Sequence, residues 1–146
     1  MENNIEINLK GLLKTAKELQ TRAYVPYSLF RVAVIVILMD GTQIFGVNVE
    51  NAAYSVSICA ERTALSQVFA QGYNKEHIKS LFLITDSTTI GSPCGVCRQF
   101  MIETMNESCP VYISNKNKEN DIKNITKVLV KELLPFPFKI NSLKGS

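Results

Sequence analysis

A single histidine, His77, among 146 residues removes much of the usual catalytic vocabulary. It sits in the charged segment 74–79 and reads as a surface residue, so no serine or cysteine triad can be built elsewhere in the chain. Long apolar runs are missing too. The longest, residues 32–39, is far too short to span a bilayer. The first ten residues lack the basic-then-apolar pattern of a secretory signal. Net charge is only +3 and the lysines are scattered, so there is no electrostatic footprint for nucleic acid. Internal repeats, low-complexity tracts and linkers are also lacking, which points to one domain over residues 1–146. Four cysteines could pair as two disulfides, but nothing suggests an oxidising compartment. The expectation is a cytoplasmic protein with reduced thiols.

What is present suits a folded domain: 46% hydrophobic and 20% charged residues, on a chain long enough to bury a core. Between residues 7 and 23, Leu9, Leu12, Leu13, Ala16, Leu19 and Ala23 recur at helical spacing with polar residues between them. Pro26 closes that helix by pushing Val25 out of helical geometry. Residues 32–39 are almost purely apolar and β-branched, as in a strand buried on both faces. Asp40-Gly41 is a hairpin-turn pair, returning the chain as a second strand over residues 43–48. A helix follows over residues 59–71, with Leu65, Val68 and Phe69 on its buried face and Gly72 as its stop. Residues 81–85 form a third strand, 94–105 a helix and 111–114 a fourth strand. The polar stretch 115–124 reads as a loop or surface insertion. Residues 125–134 hold a short strand and a helical turn, and 135–138 an extended apolar tail. Strands alternating with helices after a hairpin give an α/β fold: a three-layer α/β/α sandwich around a mixed sheet of about five strands.

The chemistry concentrates in two segments, Cys59-Ala60-Glu61 and Pro93-Cys94-Gly95-Val96-Cys97. Three thiols suit a catalytic zinc, which keeps its fourth position for water, whereas a structural zinc usually takes four protein ligands. Both groups fall where a helix begins, and there the free N–H groups and the dipole favour thiolate. Cys94 and Cys97 share one side of a helical turn, and Cys59 must arrive from the facing helix. Glu61 projects differently from Cys59, so it is placed to move protons rather than to bind metal. A Cys-x-Glu followed by Pro-Cys-x-x-Cys is the signature of zinc nucleobase deaminases. Alone, Cys-x-x-Cys would fit a redox pair or a structural zinc equally well. Cys109 would be a fourth ligand in the structural case, but its place just before Pro110 reads as a small buried residue. Three thiolates weaken the metal as a Lewis acid, and either Arg62 or Arg98 could offset their charge; each could also be an ordinary surface arginine.

Longer motifs extend this reading. Residues Ala23-Tyr24-Val25-Pro26-Tyr27-Ser28-Leu29-Phe30, Gly46-Val47-Asn48-Val49-Glu50-Asn51-Ala52-Ala53-Tyr54, Ile58-Cys59-Ala60-Glu61-Arg62-Thr63-Ala64, Ser92-Pro93-Cys94-Gly95-Val96-Cys97-Arg98-Gln99 and Glu132-Leu133-Leu134-Pro135 occur in this order. Over most of the chain the sequence resembles the small homotetrameric cytidine deaminases of pyrimidine salvage. The resemblance implies one Zn2+ per subunit on Cys59, Cys94 and Cys97, with Glu61 as the proton shuttle. It implies that Asn48 and Glu50 hydrogen-bond the ribose 3′-hydroxyl, and two residues apart on a strand they would face the same side. Phe30 would pack against the pyrimidine, Ala60 would offer its backbone N–H to the base carbonyl, and Arg62 would temper the thiolate charge. Phe138 would reach a neighbouring subunit's pocket, so that active sites are shared within a homotetramer. For Phe30 and Phe138 plain packing is the competing reading. The implied reaction is hydrolytic deamination of cytidine and 2′-deoxycytidine to uridine and 2′-deoxyuridine, without nucleic-acid or membrane partners.

The chain departs from that family where Ala33-Val34-Ile35 replaces Gly-Ala-Ala, a change expected to alter helix packing or pocket volume. Ser57 and Phe136 stand where glycine is common, and the segment 115–130 is longer than usual. Two other readings compete. One keeps the chemistry on a nucleotide, a nucleic-acid base or an aminoacylnucleoside; the other is a zinc-stabilised binding module that has no need of Glu61.

Overall fold

The computed structural model describes residues 2–115, 122 and 125–143. Its centre is the apolar run expected as a doubly buried strand. Here β1 (Val32–Leu38) lies between β2 (Gln43–Val47) and β3 (Ile78–Thr85), antiparallel to both. Then β4 (Pro110–Asn115) runs parallel to β3, and β5 (Thr126–Leu129) closes the far edge antiparallel to β4. The strand order β2-β1-β3-β4-β5 is the mixed five-stranded sheet expected from the sequence.

Alternation along β1 distributes its side chains between two layers. Ala33, Ile35 and Ile37 join Phe82 and Ile84 beneath α1 (Glu2–Gln20), which contributes Leu12, Leu13, Ala16 and Leu19. Val34, Val36 and Leu38 face the other way with Leu81 and Leu83. They meet α2 (Ala60–Ala70) and α3 (Gly95–Thr104) through Ala64, Leu65, Val68, Met101 and Ile102. The result is the expected three-layer α/β/α arrangement. Each of the fully buried leucines stabilises it by about 1.5–3 kcal/mol through removal from water.

Several boundaries differ from the sequence reading for identifiable reasons. The first helix ends at Gln20 rather than Ala23, because residues 21–23 close i→i+3 turns. Tyr24 then bridges to Val49, accepting from the Glu50 N–H and donating to Asn48 O. The third strand starts at Ile78, three residues early, since Ile78 and Ser80 pair with the end of β1. Phe69 is exposed rather than buried: α2 rests on its small residues Ala60 and Ala64, which turns Phe69 to the flank. The hairpin has Gly41 at φ +89°, and Gly72 ends α2 at φ +90°, with Tyr73 N–H donating back to Val68 O. Residues 126–134 hold the strand and helical turn expected there, as β5 and α4 (Val130–Leu133). The tail adds a short helix, α5 (Ile140–Leu143), which the sequence reading lacked. Most of the expected insertion, residues 116–121, 123 and 124, lies outside the described residues.

Topology then fixes one functional end. Val32 at the start of β1 pairs with Thr85 at the end of β3, and Ala33 pairs with Val47 at the end of β2. The chain leaves β2 toward the first turn of α2 and leaves β3 toward that of α3. Both helix N-termini therefore meet at this edge of the sheet, the usual place for a crevice in α/β folds.

Candidate active site

Cys59 is the N-cap of α2 and Cys94 the N-cap of α3, both in extended backbone conformation. Cys97 lies in the first turn of α3, and its N–H donates to the Cys94 sulfur at 3.5 Å. The sulfurs of Cys59 and Cys94 are 3.7 Å apart, and all three ligand atoms lie within 4.8 Å of one another. Three sulfurs converging from two helix N-termini match the ligand set of a catalytic zinc. The surroundings fit an anionic metal cluster as well. The Arg62 Nη2 lies 3.9 Å from the Cys59 sulfur, and its buried Nε has no hydrogen-bond partner among the described residues. Family and geometry together support one zinc per subunit on Cys59, Cys94 and Cys97.

Electrostatics separates the thiols. Cys59 is held down to about 5, chiefly by a hydrogen bond from Cys97 and also by Arg62 and Cys94. The same hydrogen bond, with burial and the nearby Glu61 charge, pushes the Cys97 thiol far up. Glu61 is 4% exposed, and burial first of all raises its carboxyl above the ordinary carboxylate range. Its Oε2 is 3.5 Å from the Cys97 sulfur.

Cys59, Cys94 and Glu61 line a cavity of about 290 Å³ together with Phe30, Val32, Asn48, Ala60, Thr85, Ser87, Gly91 and Ser92. Ala60, the first residue of α2, has its N–H among those a helix cannot pair internally. Asn48 follows the end of β2; its Oδ1 accepts from Val32 N–H at 2.9 Å and its Nδ2 donates to Phe30 O at 2.9 Å. Each end of the amide keeps one further hydrogen-bonding position. Asn48 and Glu50 do not share a strand, since β2 ends at Val47. They flank the isolated bridge at Val49, and Glu50 lines a second cavity of about 340 Å³ with Tyr27, Asn51 and Ser57. Hydrogen bonds from Ser28, then from the Tyr27 N–H, hold the Glu50 carboxyl below its ordinary value. Phe138 is not brought to this cavity. It is exposed, its carbonyl accepts from Gln99 Nε2, and it lines a separate space of about 590 Å³ beside α3 and α4.

The two arginines are placed differently. Arg98 donates to Pro93 O, Leu133 O and Ser92 Oγ, so it ties the loop before α3 to α4, while Arg62 reaches the sulfur. Cys109 is buried away from the cluster, near Ile78 O and Lys79 O, and burial pushes its thiol up to about 11. His77 is exposed and accepts from Asn74 N–H to cap a short 3-10 turn. Ala33, Val34 and Ile35 are fully buried in the two core layers and do not line the cavity, so their bulk acts on helix packing. Ser57 has φ −58° and accepts from Asn51 N–H, a conformation that needs no glycine. Phe136 has φ +52°, so the backbone there keeps a conformation that favours one.

Sequence reasoning passed over the residues that hold α2 to β2. A Cβ on Gly46 would lie 2.4 Å from Ala60 O and 2.6 Å from Ala64 N. The Thr63 hydroxyl bridges Val47 O and Ala60 O, and Gln67 Nε2 donates to Phe45 O. A glycine alternating with apolar residues on a strand was the available signal.

Known proteins resemble this chain over nearly its whole length. The family described as "Cytidine and deoxycytidylate deaminase zinc-binding region" matches residues 7–113. The cytidine deaminase of Sporosarcina psychrophila is 39% identical over 137 residues, covering 94% of this chain and 96% of that protein. The one from Halalkalibacterium halodurans is 39% identical over 127 residues, covering 87% and 91%. The crystal structure of cytidine deaminase from Burkholderia pseudomallei superposes with a TM-score of 0.80 at 34% identity, covering 88% of this chain and 97% of that one. By sequence, fold and its converging thiols, the chain belongs to the cytidine and deoxycytidylate deaminase zinc-binding family.

Proposed function

We propose that the protein hydrolyses cytidine and 2′-deoxycytidine to uridine and 2′-deoxyuridine with release of ammonia, a reaction of pyrimidine salvage in the cytoplasm. The observation that carries this reading is the buried Glu61 carboxyl set against three converging cysteine sulfurs beside a small cavity. Bound to Cys59, Cys94 and Cys97, zinc supplies the Lewis acidity that makes water a nucleophile near neutral pH. Glu61, with its carboxyl raised by burial, is placed to exchange protons beside the sulfurs. It takes a proton from the attacking water and passes it to the ring nitrogen, then takes the proton of the newly added hydroxyl and passes it to the departing amine. A carbon–oxygen bond forms, the carbon–nitrogen bond breaks, ammonia leaves and a carbonyl remains.

The remaining groups orient the nucleoside. The Ala60 N–H donates to the base carbonyl, Phe30 packs against the pyrimidine, and the spare positions on Asn48 bind the ribose 3′-hydroxyl. Glu50 accepts from the same hydroxyl, and its carboxylate repels a phosphate, which favours nucleosides over nucleotides. Arg62 draws charge from the Cys59 thiolate. Free thiols on all four cysteines are consistent with a reducing compartment, and no described helix is long and apolar enough to cross a membrane.

A homotetramer is the assembly we favour. Tyr24, Tyr27, Leu29, Tyr54, Val56 and Ile58 are all exposed on the segments flanking the site, an apolar surface suited to a second copy. Phe138, exposed and outside its own chain's site cavity, is available to a neighbour's. Ammonia release from cytidine, 2′-deoxycytidine and their 5′-monophosphates tests the substrate assignment. Turnover of both nucleosides with little of either nucleotide is expected; preference for a monophosphate would overturn it.

A further inference from the structure

The three residues that lead into β1, Phe30-Arg31-Val32, are gripped from both sides by side chains that are not their strand partners. On the β2 side the Asn48 amide takes Val32 N–H and Phe30 O, each at 2.9 Å. On the β3 side Asp86, the residue after Thr85, accepts from Arg31 main-chain N–H and Nε on Oδ2, both at 2.9 Å. Its Oδ1 accepts from Arg31 Nη2 at 3.1 Å, and its own N–H donates to Arg31 O at 3.2 Å. Arg31 O also accepts from Gln20 Nε2 on α1 at 3.1 Å.

The outcome of this double grip is a fixed pocket wall. Phe30 and Val32 stand in one wall of the zinc-site cavity, while Thr85 and Ser87, on either side of Asp86, stand in another. Phe30 itself is 39% exposed and follows Leu29, whose φ of +58° is an unfavourable conformation for a leucine. The ring borders the cavity on a partly exposed segment, and the hydrogen bonds to the main chain at Arg31 and Val32 fix where it sits. A bidentate arginine–carboxylate pair fixes direction as well as distance, and here it carries a main-chain bond along with it.

We propose that Asp86 is a positioning residue for substrate binding: by gripping Arg31 it sets the place of Phe30 against the bound base, opposite the grip of Asn48. The proposal rests on the functional reading above, in which Phe30 contacts the pyrimidine. Asp86 acts here through Arg31, so its loss weakens ground-state and transition-state binding together, raising KM and sparing kcat.

The test is a cycle of Asp86→Ala and Asp86→Asn, each with Phe30 intact and with Phe30→Ala, with zinc content measured throughout. With Phe30 present, Asp86→Ala is expected to raise the KM for cytidine about tenfold with kcat within about threefold, and Asp86→Asn to raise it less. In the Phe30→Ala background the same changes should leave KM nearly unmoved, because coupled residues are not additive. An unchanged KM, or an equal rise in both backgrounds, would overturn the proposal. If Asp86→Ala fails to fold, Asp86→Asn carries the cycle. Uridine affinity by calorimetry reads the same cycle without turnover. Wild-type protein that binds uridine but releases no ammonia would overturn the functional reading and leave the binding cycle to decide this one; protein that does neither overturns both.

Discussion

Cys97 Sγ and Glu61 Oε2 lie 3.5 Å apart although 36 residues separate them in the chain. One sits in the first turn of α3 and the other in the first turn of α2, so the contact exists only because two helices begin at the same edge of the sheet. Cys59 and Glu61 open α2, and Cys94 and Cys97 open α3, so the carboxyl meets the full set of sulfurs only where both helices start.

Arg62 is the cation beside the sulfurs, 3.9 Å from Cys59, with a buried Nε that lacks a partner among the described residues. Arg62→Gln is expected to lower zinc affinity or activity by about 10–100-fold, as is usual for groups supporting metal ligands. Arg98→Gln should act differently. It removes three bonds to the Ser92-Pro93 loop and α4, and so should lower stability by about 1–3 kcal/mol. Metal titration and thermal unfolding of the two variants separate the roles.

Acid should strip the metal. Zinc binds thiolate, so protons compete for its ligands and affinity falls as pH falls. The Cys59 thiol, held down to about 5, resists protonation through the neutral range and yields only as pH drops toward that value. Zinc retained on dialysis should therefore be complete at pH 7 and decline toward pH 5. Conversely, Cys97 holds its proton tightly without metal, so zinc added to chelated protein at pH 7 should release protons, seen as acidification of a weakly buffered solution.

Gly46→Ala should be costly out of proportion to one methyl group. The new Cβ would meet Ala60 O at 2.4 Å and Ala64 N at 2.6 Å, and these are backbone atoms of the helix that carries Cys59 and Glu61. A loss of about 3 kcal/mol or more is expected by analogy with overpacked cores, together with reduced zinc retention. Urea unfolding and metal content check both; unaltered values would mean that α2 can slide along β2 freely.

Phe136→Gly should stabilise by up to about 1 kcal/mol, since a left-handed backbone costs a side-chain-bearing residue about 1–2 kcal/mol and glycine entropy returns part of it. The Phe136 ring is fully exposed, so little packing is lost in exchange. A raised midpoint in thermal unfolding is the expected result.

Much of this architecture was legible because the physics is local. The β-branched run of β1, the Asp40-Gly41 turn and the Gly72 stop each determine their own geometry, and cysteine spacing at helix starts announced the metal site. What escaped was set by contacts distant in sequence. Ile78 and Ser80 became strand because β1 pairs with them, and Phe69 came to the surface because small residues at 60 and 64 set the roll of α2. Asn48 and Glu50 read as neighbours on a strand, yet β2 ends one residue earlier and their side chains line different cavities. Spacing alone left Arg62 and Arg98 as equals and only the family resemblance favoured Arg62; the position of Leu133, reached through α4, shows that Arg98 is occupied elsewhere. The Arg31–Asp86 pair had no sequence signal, since it spans 55 residues.

The central claim is that Glu61 moves protons at a metal site built by three cysteines. Its most direct test is Glu61→Gln, which preserves shape and hydrogen bonding but cannot carry the proton. Ammonia release from cytidine should fall at least about a thousandfold, in the range expected for removing general acid–base catalysis, while zinc stays at one per subunit and the fold is unchanged. Turnover that survives in the zinc-loaded variant would contradict the claim.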